Sequence, residues 1–86
     1  MVPKRSKLEI YLDILKVISK GINKPTRIMY GSNLSWKPLK KALESMIEKG
    51  LITEEKIGIR TTYNITTKGR EILNYFKEAK KLLKII

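Results

Sequence analysis

The order of apolar and polar residues predicts a first helix between about residues 6 and 20. Apolar side chains recur there three and four positions apart, which is the spacing of one helical face, at Leu8, Tyr11, Leu12, Leu15 and Ile18. A second apolar stripe runs beside the first and consists of Ile10, Ile14 and Val17. A helix that is apolar on two faces is expected to be central in the domain or shared between two chains. Ser6 and Glu9 have the spacing of an N-terminal capping box.

Two further helices are predicted next, separated by a short polar turn. Pro25 suits the first turn of a helix that is expected to end at Tyr30, before the turn-forming residues Gly31-Ser32-Asn33. The following helix is predicted over residues 35–49, with Ser35 as a candidate N-cap. Its apolar face comprises Leu39, Ala42, Leu43, Met46 and Ile47. Two helices joined by such a turn are typical of a helix-turn-helix unit.

After the helix predicted over residues 35–49, the apolar residues no longer follow helical spacing. Residues 51–57 and 60–66 are rich in β-branched residues and surround Gly58, which predicts a β-hairpin. A last helix is predicted from Thr67, its candidate N-cap, to the end of the chain. The predicted fold class is mainly α with a small β-hairpin (α+β), in the order helix, helix, helix, strand, wing, strand, helix. This order describes a winged helix-turn-helix, with residues 1–66 as a DNA-binding domain and 67–86 as a dimerisation helix in one compact domain.

The charge balance points to a nucleic-acid partner. Nineteen Lys and Arg face eight Asp and Glu among the 86 residues, for a net charge of +11. The basic residues are interleaved with apolar ones, so they predict a charged folded surface rather than a disordered tail. A simple solvated lysine surface is the alternative, but for so basic a domain nucleic-acid binding is favoured.

Several function classes are excluded by composition. There is no Cys and no His, so disulfides, zinc-finger spacings and thiol- or histidine-based catalysis are absent. Glu9/Asp13 and Glu44/Glu48 are carboxylate pairs without a third metal ligand, so we expect neither a metal, a cofactor nor enzymatic activity. No apolar run has the length of a membrane span, and no secretory signal is visible. We expect a cytoplasmic, nucleoid-associated protein with no membrane association and no small-molecule ligand.

The candidate DNA-binding residues lie on the helix pair and on the wing. Lysine contacts phosphates or guanine edges and serine bonds either, and the start of the second helix of the pair carries Ser35, Trp36, Lys37, Lys40 and Lys41. Trp36 either contacts DNA or packs against its neighbours. Arg27, Ser32 and Asn33 are expected to contact phosphates, an intramolecular ion pair being the alternative for Arg27.

At the wing, Lys56 and Arg60 flank Gly58, and an arginine at such a tip is expected to enter a minor groove. Ile57 and Ile59 are unusual at an exposed tip and pack either on the sheet or on a partner. The acidic pair at positions 54 and 55 leaves the hairpin without net charge. At the N-terminus, Lys4, Arg5 and Lys7 are expected to form either a flexible arm on DNA or a frayed basic end.

A dimer interface is predicted on the last helix. Its apolar residues are spaced by four, three, four and three positions, at Ile72, Phe76, Ala79, Leu83 and Ile86. The alternative is that this helix folds back on the first helix of its own chain. Both arrangements occur together if the first helix lies between the last helices of two chains and contacts them through its stripe of Ile10, Ile14 and Val17.

Two stretches carry a resemblance to a known family. The segment Lys24-Pro25-Thr26-Arg27-Ile28-Met29-Tyr30, with Asn33-Leu34-Ser35-Trp36 and Glu48-Lys49-Gly50-Leu51-Ile52, resembles archaeal winged-helix transcriptional regulators. The segment Tyr63-Asn64-Ile65-Thr66-Thr67-Lys68-Gly69 is similar to the family's strand-to-helix pattern. The resemblance implies a homodimer joined by the C-terminal helices, often as an antiparallel coiled-coil pair. The last helix is shorter here than in relatives with an extended coiled coil.

These observations favour a dimeric protein that binds double-stranded DNA and regulates transcription sequence-specifically. Helix 35–49 would enter the major groove, and the 56–60 wing would contact an adjacent groove or phosphates. One alternative is a nonspecific archaeal chromatin protein, because few side chains suited to reading bases are present. The other is a protein-interaction module, which only the apolar wing tip favours.

Overall fold

The predicted order of elements is confirmed. The computed structural model describes the backbone of residues 5–85 and the side chains of residues 5–83. The helices are α1 (Lys7–Ser19), α2 (Pro25–Ser32), α3 (Trp36–Glu48) and α4 (Thr67–Ile85). The strands β1 (Ile52–Ile57) and β2 (Arg60–Ile65) form a two-stranded antiparallel sheet between α3 and α4.

Helix α1 begins with the predicted capping box. The Ser6 hydroxyl accepts the Glu9 N–H at 3.1 Å, and the Glu9 carboxylate accepts the Ser6 N–H at 3.0 Å. The backbone hydrogen bond from Ser6, followed by the one from its side chain, holds the pKa of Glu9 below its usual range. The positive charge of Lys80 on α4 adds to this lowering of the pKa.

The buried side of α1 differs from the prediction. Ile14 and Val17, which the sequence places at a dimer interface, are 0% and 9% exposed and lie in the core of their own chain with Leu15 and Ile18. Leu8, at the start of the other apolar stripe, is 45% exposed. Both apolar stripes of α1 therefore contribute to the core, Ile14 and Val17 from one and Leu15 and Ile18 from the other, because α1 contacts α2, α3, α4 and β2.

Helix α2 is longer than predicted, since it continues through Gly31 to Ser32. Gly31 lets α1 pack closely against this helix, since a Cβ at this position would lie 3.1 Å from Cγ1 of Val17. The helix ends at Asn33, which adopts the left-handed conformation with φ 55°. The turn into α3 therefore consists of the three residues Asn33, Leu34 and Ser35.

The core is formed by α1, α2, α3 and the base of the hairpin. Helix α3 buries its predicted apolar face, with Leu39 and Met46 both 0% exposed, and Ile28 of α2 is equally buried. Ile52 and Tyr63 close the core at the base of the sheet, and Leu73 of α4 joins the same cluster. The N–H of Tyr63 donates to the carbonyl of Asn23 at 2.9 Å, which ties β2 to the segment before α2.

A clasp around Thr66 connects the hairpin to α4. The Thr66 hydroxyl accepts the N–H of Gly69 at 3.0 Å, so Thr66, and not the predicted Thr67, caps α4. The same hydroxyl lies 2.7 Å from the Gly50 carbonyl oxygen and donates its proton towards the end of α3. Lys68 donates to the carbonyl of Lys49 at 2.9 Å, which fixes the start of α4 against the α3–β1 connection.

Candidate nucleic-acid interface

The exposed face of α3 carries the cations predicted for DNA recognition. Lys37, Lys40 and Lys41 are all exposed, and Trp36 is 47% exposed at the first position of the helix. Ser35 occupies the N-cap position, but its side chain makes no capping hydrogen bond. The exposed Ser35 hydroxyl therefore leaves the first-turn N–H groups without a side-chain cap. A helix N-terminus of this kind favours anions.

A cleft of about 460 Å³ separates α3 from the hairpin. The residues of α3 that line it are Trp36, Lys40, Leu43, Glu44 and Ile47. The hairpin contributes Glu54, Lys56, Thr61 and Tyr63, and Pro25 of α2 lies at its edge. The structure thus brings one cation of the helix, Lys40, and one of the wing, Lys56, to the same cleft, together with the carboxylates of Glu44 and Glu54.

One of these carboxylates is held by a buried tyrosine. The Tyr63 hydroxyl donates to Oε2 of Glu54 at 2.9 Å, and Lys56 Nζ lies 3.8 Å from Oε1 of the same residue. Burial, then this hydrogen bond and the negative charges of Glu54 and Glu44, raise the pKa of Tyr63 to about 12. Glu54 is therefore oriented by the core side of the hairpin, and Lys56 stays 69% exposed.

The register of the hairpin separates its charges. Nearest the tip, Ile57 pairs with Arg60 and Lys56 with Thr61; Glu55 and Glu54 lie in the next two pairs. The hairpin has no net charge, but its positive residues lie at the tip and its negative residues lie nearer the base. Both Lys56 and Arg60 belong to the basic end, as the wing assignment requires.

The predicted phosphate-contacting residues of the helix pair have different surroundings. Arg27 and Asn33 are exposed, and in residues 5–83 no ion pair involves Arg27. The expectation for Ser32 is corrected: this residue is 3% exposed, and its hydroxyl donates to the Ile28 carbonyl at 2.6 Å. The two additional residues of α2 place this serine on the inner side of the helix, so its side chain is not available to a phosphate.

Arg5 is a residue whose role the sequence did not reveal. Instead of belonging to a free basic arm, its guanidinium donates to the Asp13 carboxylate and to the carbonyls of Ser32 and Asn33. It therefore fixes the end of α2, next to the turn that leads into α3. Arg5 precedes α1, so no helical spacing in the sequence indicates its contact with Asp13. Lys4 lies outside the described residues.

The residues predicted for a dimer interface differ in how far their side chains are exposed. Ile10, Ile72, Phe76 and Ala79 are half-buried, and Leu83 is 70% exposed. Further apolar surface is exposed on α4 at Tyr75 and Leu82. Ile86 lies outside the described residues. The second half of α4 thus carries large apolar side chains that its own chain does not cover.

Neither a metal-binding cluster nor a membrane-spanning helix occurs in the part of the chain that the structure describes. Within residues 5–85 there is no group of three or more His, Cys, Asp and Glu side chains that would suit a metal ion. No helix in that range is both long and apolar enough to cross a membrane.

Comparisons with known proteins agree with this architecture. The uncharacterized protein MJ0287 of Methanocaldococcus jannaschii is 32% identical over 75 residues, which are 87% of this chain and 73% of that protein. The crystal structure of Sso10a-2, a DNA-binding protein from Sulfolobus solfataricus, is 26% identical, with a TM-score of 0.80 over 93% of this chain and 83% of that one.

A second solved structure has the same fold. The transcriptional regulator BldR from Sulfolobus solfataricus is 21% identical, with a TM-score of 0.75 over 86% of this chain and 55% of that one. A family model described as winged helix-turn-helix matches residues 4–84. The resemblance seen in the sequence is confirmed, and the chain belongs to the winged helix-turn-helix family.

Proposed function

We propose that this protein is a homodimer that binds double-stranded DNA and regulates transcription at specific sequences. The observation that carries the proposal is the exposed face of α3, where three lysines follow an uncapped, anion-favouring helix start. The similarity to Sso10a-2, which is a DNA-binding protein, supports it. A DNA partner implies a cytoplasmic protein associated with the nucleoid.

In this proposal α3 lies in the major groove. A helix fits that groove, and its N-terminal residues reach the base edges while the preceding helix crosses the backbone. Ser35 and Lys37 would contact bases or phosphates, and Lys40 and Lys41 would contact phosphates. Glu44 follows Lys40 by one turn and repels phosphates, so the contact surface ends there. Arg27 and Asn33 would bind the flanking backbone.

The wing would contact the next groove. Lys56 and Arg60 are both exposed at its basic end, and Lys56 also lines the cleft. Tyr63 and Lys56 hold the Glu54 carboxylate in the cleft. The arrangement gives two positive contact regions separated by one carboxylate-lined cleft.

Dimerisation would use α4 as a separate interface, with residues 1–66 as the DNA-binding part. Ile72, Phe76 and Ala79 continue from the core towards the exposed Leu83. Small chains often gain stability by covering such a surface with a second copy. A dimer also doubles the positive charge available for counterion release.

Nonspecific DNA coating is a second candidate function. Lysine dominates the exposed face of α3, and lysine binds phosphate as a point charge rather than reading a base pair in a fixed geometry. Such a protein would bind any duplex with similar affinity. Selection from a random duplex library, followed by competition with random DNA, separates the two candidates: equal competition contradicts the sequence-specific proposal.

The DNA-binding surface is tested by two matched triple variants. Lys37, Lys40 and Lys41 changed to Ala should weaken binding and lower the salt slope by about 0.9 for each phosphate that the protein no longer neutralises. Lys77, Lys80 and Lys81 changed to Ala remove the same charge from exposed positions of α4 and should have a much smaller effect. Equal effects of the two changes would contradict the α3 surface. No binding by the unchanged protein at low salt would contradict DNA binding and favour a protein-interaction module.

A further inference from the structure

The wing tip presents two isoleucines that the fold does not use. Ile57 is 67% exposed and Ile59 is 104% exposed, which is the highest exposure of any large apolar side chain in the described part of the chain. Isoleucines of the core, such as Ile14 and Ile28, are 0% exposed. Ile59 therefore contributes nothing to the packing of its own chain.

Turn chemistry does not explain Ile59 either. Gly58 has φ +61°, and Ile59 is not among the residues with positive φ. This is the pattern of a type II′ hairpin turn, which requires glycine at the first position and accepts most residues at the second. A polar residue at position 59 would make the same turn at no cost in exposed apolar surface.

The surroundings of the tip identify what it fits. One exposed isoleucine is ordinary on a protein surface, but these two stand where the hairpin is basic. Arg60 pairs with Ile57, and Lys56 lies in the next pair. Lys24, at the start of α2, lines the same shallow depression as Ile59 and Arg60. An apolar side chain among three cations matches a ligand that is negatively charged outside and apolar inside. Duplex DNA has this chemistry, because its stacked bases lie between two phosphate strands.

We propose that Ile59, supported by Ile57, inserts between neighbouring base pairs from the minor groove and bends the duplex, while Arg60 and Lys56 bind the flanking phosphates. The proposal rests on the proposed function, because it requires the wing to reach DNA. Apolar side chains that enter a base step in this way unstack it and kink the helix.

Insertion of Ile59 between base pairs would also give the protein a preference for certain DNA sequences. Unstacking costs least at flexible pyrimidine–purine steps, above all TA and CA. The position of such a step beside the α3 contact would therefore be selected without any hydrogen bond to a base. This form of readout suits a protein whose exposed recognition face carries mainly lysines and few residues that read base edges.

The test uses the full chain and duplexes with 2-aminopurine at a central TA step and a fluorescent dye on each end. The unchanged protein should increase 2-aminopurine fluorescence and bring the duplex ends closer together. Ile59→Ser should abolish both changes and weaken binding by about tenfold or less, since a single apolar side chain is removed from the interface. Ile59→Met, which keeps an apolar wedge, should retain both changes. Because Ile59 is fully exposed, both variants should melt like the parent protein.

The outcomes separate this inference from the proposed function. If the unchanged protein binds DNA without unstacking or bending it, or if Ile59→Ser still does both, the wedge is wrong and DNA binding stands. If Ile59→Ser alters the sedimentation of the free protein, the tip is a protein contact and the wedge is likewise overturned. If the unchanged protein binds no duplex at low salt, the proposed function fails first, and the wedge fails with it.

Discussion

The guanidinium of Arg5 donates a hydrogen bond to the Asp13 carboxylate at 2.8 Å, which joins the start of the described chain to the middle of α1. The same Nη1 lies 2.7 Å from the Ser32 carbonyl oxygen, and Nη2 lies 2.9 Å from that of Asn33. These carbonyls belong to the end of α2, where helix carbonyls lack partners within the helix and favour cations. Arg5 therefore stabilises the turn of the helix-turn-helix from behind.

Arg5→Lys should lower the melting temperature. Lysine keeps the charge but lacks the planar fork that reaches three acceptors at once. Because both side chains are partly exposed, at 28% and 44%, the destabilisation should be modest, about 1 kcal/mol, which corresponds to about 4–8 °C in a domain of this size. Thermal unfolding by circular dichroism at one fixed protein concentration measures it.

Two further variants sharpen the Arg5 experiment. Asp13→Asn should cost less than Arg5→Lys, because the hydrogen bonds to the two α2 carbonyls remain. Lys77→Ala, on the exposed side of α4, controls for the chain's overall charge. Equal melting temperatures for Arg5→Lys and the parent would show that the arginine hydrogen bonds do not contribute to stability.

Gly69→Ala should destabilise the fold although alanine is the better helix former. In an exposed helix this change would normally stabilise the protein. Here a Cβ would collide with the carbonyl oxygen of Leu51 and would lie 2.9 Å from Cγ1 of Ile65. The clasp around Thr66 would have to open, at a cost of about 1–3 kcal/mol. Asn74→Ala, at an exposed position of the same helix, should leave stability equal or higher; if both variants behave alike in urea unfolding, the close approach is not limiting.

The Tyr63 phenol should ionise late in an alkaline titration. Its folded pKa of about 12 exceeds the ordinary value of 10.0, so folding favours the protonated form. The stabilisation is fully present below pH 10 and is lost as the pH rises from 10.0 towards 12. The ultraviolet absorbance of tyrosinate should show a last step that Tyr63→Phe removes. Glu54→Gln should shift this step to lower pH, because a hydrogen-bond acceptor remains while the negative charge is gone; an unchanged step would contradict the role of Glu54.

Trp36 should report DNA binding through its fluorescence. It is the only tryptophan, is 47% exposed and lines the cleft beside Lys40. The choice between packing and DNA contact for this side chain therefore has a direct readout. Duplex addition should quench the emission if the indole meets DNA, and the Lys37, Lys40 and Lys41 triple variant should need more DNA for the same change. Full binding by anisotropy with unchanged emission would assign Trp36 to packing alone.

The proposed dimer should depend on apolar residues of α4. Replacing Phe76 and Leu83 together by Gln removes two large side chains from the predicted seam and should shift sedimentation from dimer towards monomer. Replacing Lys77 and Lys81 together by Gln changes the same helix at exposed positions and should leave the dimer intact. A monomeric parent protein, or equal sedimentation of both variants and the parent, would contradict α4 as the interface.

The sequence alone predicted most of the fold because periodicity and termini are local properties. The apolar spacing of residues 39–47 identified α3 and its buried face, and the capping box at Ser6 marked the start of α1. The exposed lysines of α3 followed from the same pattern, since the positions between the apolar ones must face outward. At the Thr66–Thr67 pair the sequence was ambiguous by one residue, because either threonine can cap a helix.

Contacts between distant residues decided the rest. Val17 of α1 lies against Gly31 of α2, and the continuation of α2 to Ser32 goes with the burial of the Ser32 side chain. Arg5 stabilises the helix-turn-helix only because the fold brings its guanidinium to two carbonyls that lie 27 and 28 positions further along the chain. The hairpin carried no net charge in the sequence, and its pairing register divided it into a basic tip and an acidic base. Local patterns determine which elements form, whereas burial and electrostatics depend on which distant groups the fold brings within a few ångströms.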